Sequence, residues 1–450
     1  MNKVTVLVLG VVLVVFFGLM GQLVKQSQVL NISPIPAGNL YFCLFSASPQ
    51  ELTQEYLLIL NKSQQTSGQL SLIGQTYFKT IKIKLPAYSY QVVNVSSYEV
   101  NYLPQVVMIK TTSNSVSAFS LVSYADGLIS GSNCQQNGLR QAAFLNVSTT
   151  EQHDVSLLFY NPTEIPTILS AEMFQTGVPT DLSSIDGQVI LPHQVLSIDL
   201  RQADPDVKGA AVLISAKSGL FVAQANTLPA PADEIPPVSQ TKGCMFGNLK
   251  GGSYAQSILY WLNYTQNNQI VKLVGFSNAN QFKVGSFSVS AQSFASFGLL
   301  SNLLTTGSFY LKCEAGLGFA STQIFQNDQG TPLTYFYSSA LLAKSGCVPG
   351  ALKYGGNYWL VLSNSTKQIV RLRLKLLPET AFKELANMSN AYNFSKTLYL
   401  PKYGTTVLKM PVINGSYGIV YHSSSPILVQ GEYDNPFGSK GTVIFESQRC

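Results

Sequence analysis

Hydrophobic and polar residues alternate over much of this chain, and turn-forming residues interrupt the alternation about every ten residues. The alternation is clearest in residues 80–85 (TIKIKL), 287–291 (FSVSA) and 367–375 (KQIVRLRLK). A period of two with frequent turns is typical of antiparallel β-sandwiches. The pattern therefore predicts an all-β protein. Helical periodicity is convincing only in residues 379–391, with residues 301–305 as a weaker candidate.

One hydrophobic phrase recurs four times, and each copy ends at an asparagine. Asn61, Asn161, Asn263 and Asn364 follow runs of aromatic and aliphatic residues, at steps of 100, 102 and 101 residues. This period exceeds the roughly 20 to 50 residues of solenoid and propeller repeats, so each copy should have its own core. We predict four tandem immunoglobulin-like sandwiches of about seven strands each, arranged end to end as a rod.

Two further phrases recur in the same order, which favours shared descent of the four copies over chance. The phrase at residues 85–88 (LPAY) returns at 191–194 (LPHQ) and 400–403 (LPKY), whereas the third copy has 290–293 (SAQS). Proline in this phrase suits the beginning or edge of a strand. A strand, polar turn and strand then close each copy.

Proline-rich segments and the repeat boundaries divide the chain. Residues 32–38 and 229–237 are rich in proline and should be extended spacers. The predicted division is a membrane anchor or signal segment at 1–26, a linker at 27–39, sandwiches at 40–133, 134–228, 244–346 and 347–450, and a Pro-rich linker at 229–243.

Six cysteines occur, and five of them mark the boundaries between copies. These are Cys43, Cys134, Cys244, Cys347 and Cys450, whereas Cys313 lies inside a predicted strand. An even number of cysteines suggests disulfides in an oxidising compartment. The preferred pairs join Cys43 to Cys134, and either Cys244 or Cys313 to Cys347. The chain has no Cys-x-x-Cys pair and only three scattered histidines, so the sequence predicts no metal site.

The amino-terminal segment predicts the compartment. Residues 4–24 carry no charge and, at about 1.5 Å per residue, match the thickness of a bilayer core. A retained anchor is favoured over a cleaved signal because Leu19 occupies a position where a signal peptidase needs a small residue. We expect the body to lie outside the cell at the cytoplasmic membrane, with secretion as the alternative.

Nine Asn-x-Ser/Thr sequons agree with an external body and are candidate glycosylation sites. They are Asn31, Asn61, Asn94, Asn146, Asn263, Asn364, Asn387, Asn393 and Asn414. The repeated asparagine must also have a structural role, because Pro162 removes the sequon at Asn161. We expect it to cap the turn after a strand, where asparagine tolerates a left-handed conformation and bonds its own backbone.

Charged residues are few, at 11% of the chain where about 25% is usual. Amides and hydroxyls must cover the surface, and they stay polar when carboxylates are protonated. We hypothesise that such a surface suits an acidic or hot medium. The densest basic stretch is residues 371–375 (RLRLK), which we interpret as a solvated strand face in preference to a polyanion site. Nothing indicates nucleic-acid binding.

The chain carries no sequence motif of catalysis among those sought. It has no Gly-x-Ser-x-Gly elbow, His-Glu-x-x-His or phosphate-binding glycine loop. His153, His193 and His422 lie in different settings and are interpreted as turn or surface residues. Trp261 and Trp359 interrupt buried runs, so we interpret them as core residues in preference to sugar platforms. We therefore predict neither enzymatic activity nor a cofactor.

Residues 40–450 resemble secreted surface proteins of prokaryotes, archaea among them, that consist of tandem immunoglobulin-like domains. The resemblance rests on the strand-Asn-turn and Leu-Pro phrases, and it implies structural or adhesive work with cell-envelope proteins, glycans or further copies of the chain. One alternative is a filament subunit in which residues 22–32, released by cleavage after Gly21, add a strand to a neighbour. Another alternative is a glycan-binding or glycan-hydrolysing surface protein.

Overall fold

The computed structural model describes nineteen segments of the chain between residues 40 and 448. They are residues 40–45, 52–74, 78–98, 106–124, 129–149, 154–175, 179–204, 207–228, 234–235, 237–251, 255–277, 280–299, 307–328, 331–338, 342–350, 357–379, 395–411, 416–434 and 442–448. The strands of these segments pair antiparallel and belong to four successive modules, which we number from the amino terminus. The prediction of an all-β protein is confirmed.

Module 1 (residues 40–136) consists, in its described part, of a five-stranded and a four-stranded sheet with strand orders β4-β3-β6-β1-β9 and β5-β2-β7-β8. Its strands are β1 Leu40–Leu44, β2 Leu52–Asn61, β3 Thr66–Ile73, β4 Phe78–Leu85, β5 Ser89–Asn94, β6 Val106–Thr111, β7 Val116–Tyr124, β8 Ile129–Asn133 and β9 Gln135–Gln136.

Module 2 (residues 141–235) repeats this plan over the residues described, with sheets β10-β16-β12-β13 and β15-β11-β17-β18, and with β14 paired to β12. Its strands are β10 Gln141–Val147, β11 Asp154–Tyr160, β12 Thr167–Phe174, β13 Thr180–Asp181, β14 Val189–Ile190, β15 Val195–Asp199, β16 Ala210–Ser218, β17 Val222–Leu228 and β18 Glu234–Ile235.

Modules 3 (residues 241–338) and 4 (residues 343–446) differ because one long strand replaces the sixth and seventh strands. The strands of module 3 are β19 Thr241–Gly251, β20 Ala255–Asn263, β21 Gln269–Ser277, β22 Asn280–Val289, β23 Ser293–Leu299, β24 Gly307–Asp328 and β25 Thr331–Ser338. Those of module 4 are β26 Ala343–Pro349, β27 Tyr358–Ser363, β28 Val370–Pro378, β29 Ser395–Leu400, β30 Thr405–Lys409, β31 Tyr417–Asp434 and β32 Thr442–Glu446. The first halves of β24 and β31 pair within one sheet, and the second halves pair within the other.

The strand order is the same in all four modules, but it is not the immunoglobulin order. In module 1 the first strand pairs with the sixth, and the second strand pairs with the seventh. Immunoglobulin domains instead pair the first strand with the second, and the seventh with the sixth. The expectation of immunoglobulin-like domains is therefore wrong in its topology, because alternation of residues along strands sets which faces are buried but not which strands are neighbours.

Each module encloses a core between its two sheets. In β2 the alternate residues Leu57 and Ile59 pack with Leu70, Leu72 and the other inward residues of module 1. Burial of every second residue, on the strand face that lies between the two sheets, is what the period of two predicts. The modules therefore have the sandwich architecture that the alternation predicts.

The described disulfides confirm the preferred pair Cys43–Cys134 and correct the second preferred pair. Cys43 bonds to Cys134 and Cys244 bonds to Cys313. Cys244 and Cys313 lie directly opposite each other on β19 and β24, so neither cysteine is available to Cys347. Cys347 is also disulfide-bonded, to a partner outside the described residues. Disulfides of this kind indicate an oxidising environment.

The described chain also differs from the predicted division at several boundaries. Cys134 and β9 belong to module 1, because β9 pairs with β1. Strand β18 lies inside the predicted Pro-rich linker and pairs with β17. Module 4 begins at β26, a few residues before the predicted boundary. Strand pairing, which composition does not report, decides where each module ends.

The described helices are a 3-10 turn at Val95–Tyr98 and a single α-turn at Leu200–Ala203, which Asp199 caps. Of the predicted helix at 379–391 only Glu379 is described, and it forms an isolated bridge with Tyr90. The predicted helix at 301–305, the predicted membrane segment at 4–24 and the linker at 27–39 lie outside the described residues. Within the described part of the chain, no helix has the length and apolar character needed to cross a membrane.

Residues Gly38–Cys450 form one compact unit, and the modules within it do not form the predicted rod. Module 1 shares a hydrophobic cluster with module 2, module 2 with module 3, and module 3 with module 4. Module 4 in turn shares a large cluster with module 1. The prediction of independently packed domains is wrong on this point, since the contacts between modules close into a cycle.

Candidate functional site

Four buried turns recur at the same place in every module, and we call them the Asn turns. Each is centred on the asparagine that ends or directly follows the second strand: Asn61, Asn161, Asn263 and Asn364. These side chains are at most 1% exposed.

The side chain of each asparagine ties two separate loops together. Its Oδ1 accepts hydrogen bonds from the backbone N–H and the hydroxyl of the Ser or Thr two residues later, at 2.7–3.1 Å. Its Nδ2 donates to the backbone carbonyl three or four residues later in the chain. It also donates to the carbonyl that ends a strand of the other sheet, directly before the next turn between the sheets; these carbonyls belong to Leu85, Ile190, Val289 and Leu400. In modules 1, 3 and 4 it also donates to the first carbonyl of that next turn, at 2.7–2.8 Å. The asparagine thus joins the connections that run between the two sheets.

The Asn turn accounts for three of the sequons. Nδ2 is the atom that would carry a glycan, and in Asn61, Asn263 and Asn364 it is buried and occupied by hydrogen bonds. Asn161 makes the same bonds although Pro162 removes its sequon. The hydroxyl two residues after the asparagine is thus required by the turn itself, and these sequons need no glycan to explain them.

The remaining glycosylation candidates fall into two groups. Asn146 donates from Nδ2 to Gln323 Oε1 at 2.8 Å, across the contact between modules 2 and 3. Asn94 is half-buried at the end of β5. The candidates Asn31, Asn387, Asn393 and Asn414 lie outside the described residues.

We predict that the native protein carries no glycan at Asn61, Asn263 or Asn364, because a modified Nδ2 could not form the buried turn. Glycopeptide mass spectrometry of protein purified from its own cells checks this, with Asn94 as the comparison site. Substantial occupancy at any of the three buried asparagines would contradict the structural assignment.

The residue with a left-handed backbone conformation is not the repeated asparagine, as predicted, but a residue in the turn that the asparagine contacts through Nδ2. Tyr88, His193, Gln292 and Tyr403 have φ of 50°, 58°, 49° and 50°. The third copy therefore keeps this turn although it lacks the Leu-Pro phrase. In module 2 the positive-φ residue is shifted by one position against the Leu-Pro match. Bulky residues at positive φ are strained by about 1–3 kcal/mol and need compensating contacts.

For two of these residues the compensating contact reaches the neighbouring module. The Tyr403 ring stacks on Phe276 of module 3, with centroids 5.1 Å apart. The ammonium of Lys375 in module 4 lies 4.9 Å from the centroid of the Tyr88 ring. His193 instead contacts Tyr160 and Glu164 of its own module. The strained turns thus contribute to the contacts between modules.

The second strand of a module contacts the module's own core with one face and a neighbouring module with the other. In β2, Leu57 and Ile59 face the core of module 1, whereas Leu58 and Leu60 join the cluster shared with module 4. In β11 and β20 the residues of one face likewise fill the module's own core, and those of the other face meet the preceding module. Both faces of these strands are therefore buried, which explains their nearly continuous apolar runs.

Polar bonds accompany the apolar contact at two of these junctions. The Ala223 N–H donates to Gln135 Oε1 at 3.3 Å between modules 2 and 1. Between modules 3 and 2, Tyr260 donates its hydroxyl hydrogen to the same Gln323 Oε1 that accepts from Asn146. Buried polar groups that are satisfied across a contact fix its register.

The junction between modules 4 and 1 closes the cycle. Gln448 donates from Nε2 to the Cys134 carbonyl at 3.0 Å and accepts at Oε1 from the Ala118 N–H at 3.1 Å. The Phe119 and Phe445 rings meet edge to face at 5.7 Å. Gly418 in β31 lies so close to Leu60 that a Cβ there would overlap the leucine side chain.

A buried carboxyl lies in the core of module 1. Glu55 of β2 is 1% exposed and lies opposite Val122, and its Oε2 has no hydrogen-bond partner among the described residues. Desolvation raises the pKa of this carboxyl from 4.5 to about 8. The group is therefore protonated in the folded protein at neutral pH.

We predict that Glu55 lowers stability as pH rises from about 4.5 to about 8, because over this interval the unfolded chain binds fewer protons than the folded protein. Glu55→Gln keeps the shape and removes the titration, so it should raise stability near pH 7.5 and change little at pH 4. Urea unfolding at both pH values checks this, with exposed Asp181→Asn as the control. An unchanged pH dependence in Glu55→Gln would contradict the assignment.

The structure separates the two tryptophans. Trp261 is fully buried in the core of module 3 and donates from Nε1 to Gln269 Oε1 at 3.2 Å. Trp359 is only half-buried, on the other face of its strand, with the Lys409 ammonium 5.6 Å from its ring. The core assignment is thus correct for Trp261 and wrong for Trp359, because one residue of shift along a strand changes the face.

The histidines do not come together in the described chain. His193 lies in the turn, as predicted, but its side chain is only 9% exposed. His422 lies within β31 rather than at a hairpin tip, and it is exposed. His153 is outside the described residues. No group of three or more His, Cys, Asp and Glu within the described segments is placed to hold a metal ion.

Comparisons with known proteins identify no family. No family model matches the chain. No curated protein matches it either. Among solved structures, the chain is similar to a tetra-tandem repeat from the extending region of a large adhesion protein, with 9% identity and a TM-score of 0.12 over 91% of this chain and 98% of that one. A similarity at this level supports no argument about fold or function.

Proposed function

We propose that the protein is a non-enzymatic structural protein of the cell exterior, which presents a rigid β-sheet body to other envelope proteins or glycans. The observation that carries the proposal is that three independent features stabilise one body. They are the disulfides, the Asn turns and the cycle of contacts between modules. A body locked in this way suits mechanical and adhesive work, because little conformational freedom remains to be lost on binding.

The compartment is part of the proposal. The disulfides indicate an oxidising environment, and the uncharged residues 4–24 are proposed to anchor the body to the cytoplasmic membrane. Labelling of intact native cells with a membrane-impermeant amine reagent tests the exposure. Modification of exposed Lys82 and Lys84 before lysis supports it, and modification only after lysis would contradict it.

The partners are to be identified by chemical cross-linking on those cells, followed by purification and mass spectrometry. The proposal expects cross-links from the body to envelope proteins. Cross-links confined to cytoplasmic proteins would contradict it. Sequencing of the mature amino terminus in the same preparation tests the anchor, since cleavage after Gly21 would remove most of it.

A further inference from the structure

We infer that the outer face of β28 and β29 in module 4 binds an acidic polysaccharide. This surface, which we call the basic face, carries Arg371, Arg373 and Lys375 on alternate positions of β28. All three are exposed, and the residues between them are buried in the core. Residues two apart on a strand are about 6.6–6.8 Å apart, so the cations are spaced regularly along one face of β28.

The lateral neighbours of these cations leave their charge uncompensated. Arg373 lies between Thr397 of β29 and His422 of β31, and Arg371 lies beside Tyr399. Opposite charges directly across neighbouring strands would have stabilised the sheet. Within the described residues, no carboxylate pairs with either arginine. The face is therefore suited to an external anion.

The equivalent position in module 3 shows the contrast. Lys272 and Arg373 each lie nine residues after the asparagine of their Asn turn. Lys272, however, is paired across the strands with Glu314, which also bonds to Lys312 at 2.8 Å. These two lysines hold the pKa of the Glu314 carboxyl below its usual value. Module 3 thus places a carboxylate beside its lysines, whereas Arg371 and Arg373 of module 4 face solvent without one among the described residues.

The groups around the arginines favour a glycan over a membrane surface. Tyr399 is 68% exposed beside Arg371, and Ser395 and Thr397 are exposed on the same strand face. A flat phenol ring with hydroxyl neighbours can stack on a sugar ring and bond its hydroxyls, while guanidinium groups pair with carboxylate or sulfate. A membrane-binding face would instead be expected to present apolar side chains between its cations.

The test compares two double variants of the purified body that remove the same charge. Arg371→Gln/Arg373→Gln alters the basic face, whereas Lys217→Gln/Lys312→Gln removes lysines that are paired with Asp186 and Glu314. Binding to dextran sulfate and to polygalacturonate is measured by calorimetry at 0.15 M salt. We expect at least tenfold weaker binding for the first variant and less than twofold for the second. Tyr399→Ala, which changes no charge, should weaken binding severalfold.

Equal weakening in both double variants would overturn the inference, because it would reduce the effect to net charge. Binding to phosphatidylglycerol vesicles with none to either polysaccharide would also overturn it and would assign the face to a membrane. All substituted side chains are exposed, so the fold should persist, and circular dichroism checks this. Failure here would leave the proposed structural function untouched, since that function is tested by labelling and cross-linking on cells.

Discussion

Asn364→Ala is expected to lower the free energy of unfolding by about 3–5 kcal/mol. The substitution leaves the carbonyls of Gln368, Leu400 and Pro401 without the donor they share. A buried polar group without its partner costs about 1–3 kcal/mol, and these losses fall within one turn. Thermal unfolding followed by circular dichroism under non-reducing conditions measures the effect.

Asn161→Ala is the matched variant for this prediction. It breaks the same kind of turn, yet Pro162 prevents glycosylation there, so an equal loss must come from the turn itself. Asn94→Ala removes a sequon without disturbing an Asn turn and should change stability by less than about 1 kcal/mol. A large loss for Asn364→Ala together with a negligible loss for Asn161→Ala would contradict the structural role.

Gly418→Val is expected to destabilise the protein by about 1–3 kcal/mol, as overpacking of a buried site does. Valine favours strands, so its intrinsic effect in β31 should be stabilising. The expected loss arises instead from overlap with Leu60, which belongs to module 1. Stability is measured by urea unfolding of the single variants and of Gly418→Val/Leu60→Ala.

The double variant separates contact between modules from a local effect. Leu60→Ala makes room for the valine, so the two losses should fail to add by roughly 1–2 kcal/mol. Additive losses would show that residues 60 and 418 do not meet. The disulfides are kept intact in all samples, so that both states retain the same covalent links.

The sequence predicts the modules well, because alternation directly reports which strand face is buried. The Asn and Ser/Thr pair was also visible, since its spacing recurs even where Pro162 removes the sequon. The turn at Gln292 was missed because it is defined by backbone conformation, which glutamine shares with tyrosine and histidine there. In every module the positive-φ residue lies three residues after the end of the preceding strand, a spacing that only the strand boundaries reveal.

The cycle of contacts and the strand order could not be predicted from the sequence. Leu58 and Leu60 were visible as apolar residues, but nothing local shows that their face meets module 4. The doubly apolar run of β2 was a signal that both faces are covered. A single core accounts for only one face of this run, because a strand at the surface of an independent domain alternates apolar and polar residues.

Hydrogen exchange of a Gln448→Ala variant tests the central claim most directly. The account predicts faster exchange of the Ala118 amide in module 1, because the Gln448 side chain accepts its hydrogen bond from module 4. Peptides that cover residues 116–124 and 129–134 should respond together with those near residue 448, while module 2 stays unchanged. Faster exchange confined to module 4 would contradict the closed cycle and would restore an open row of independent domains.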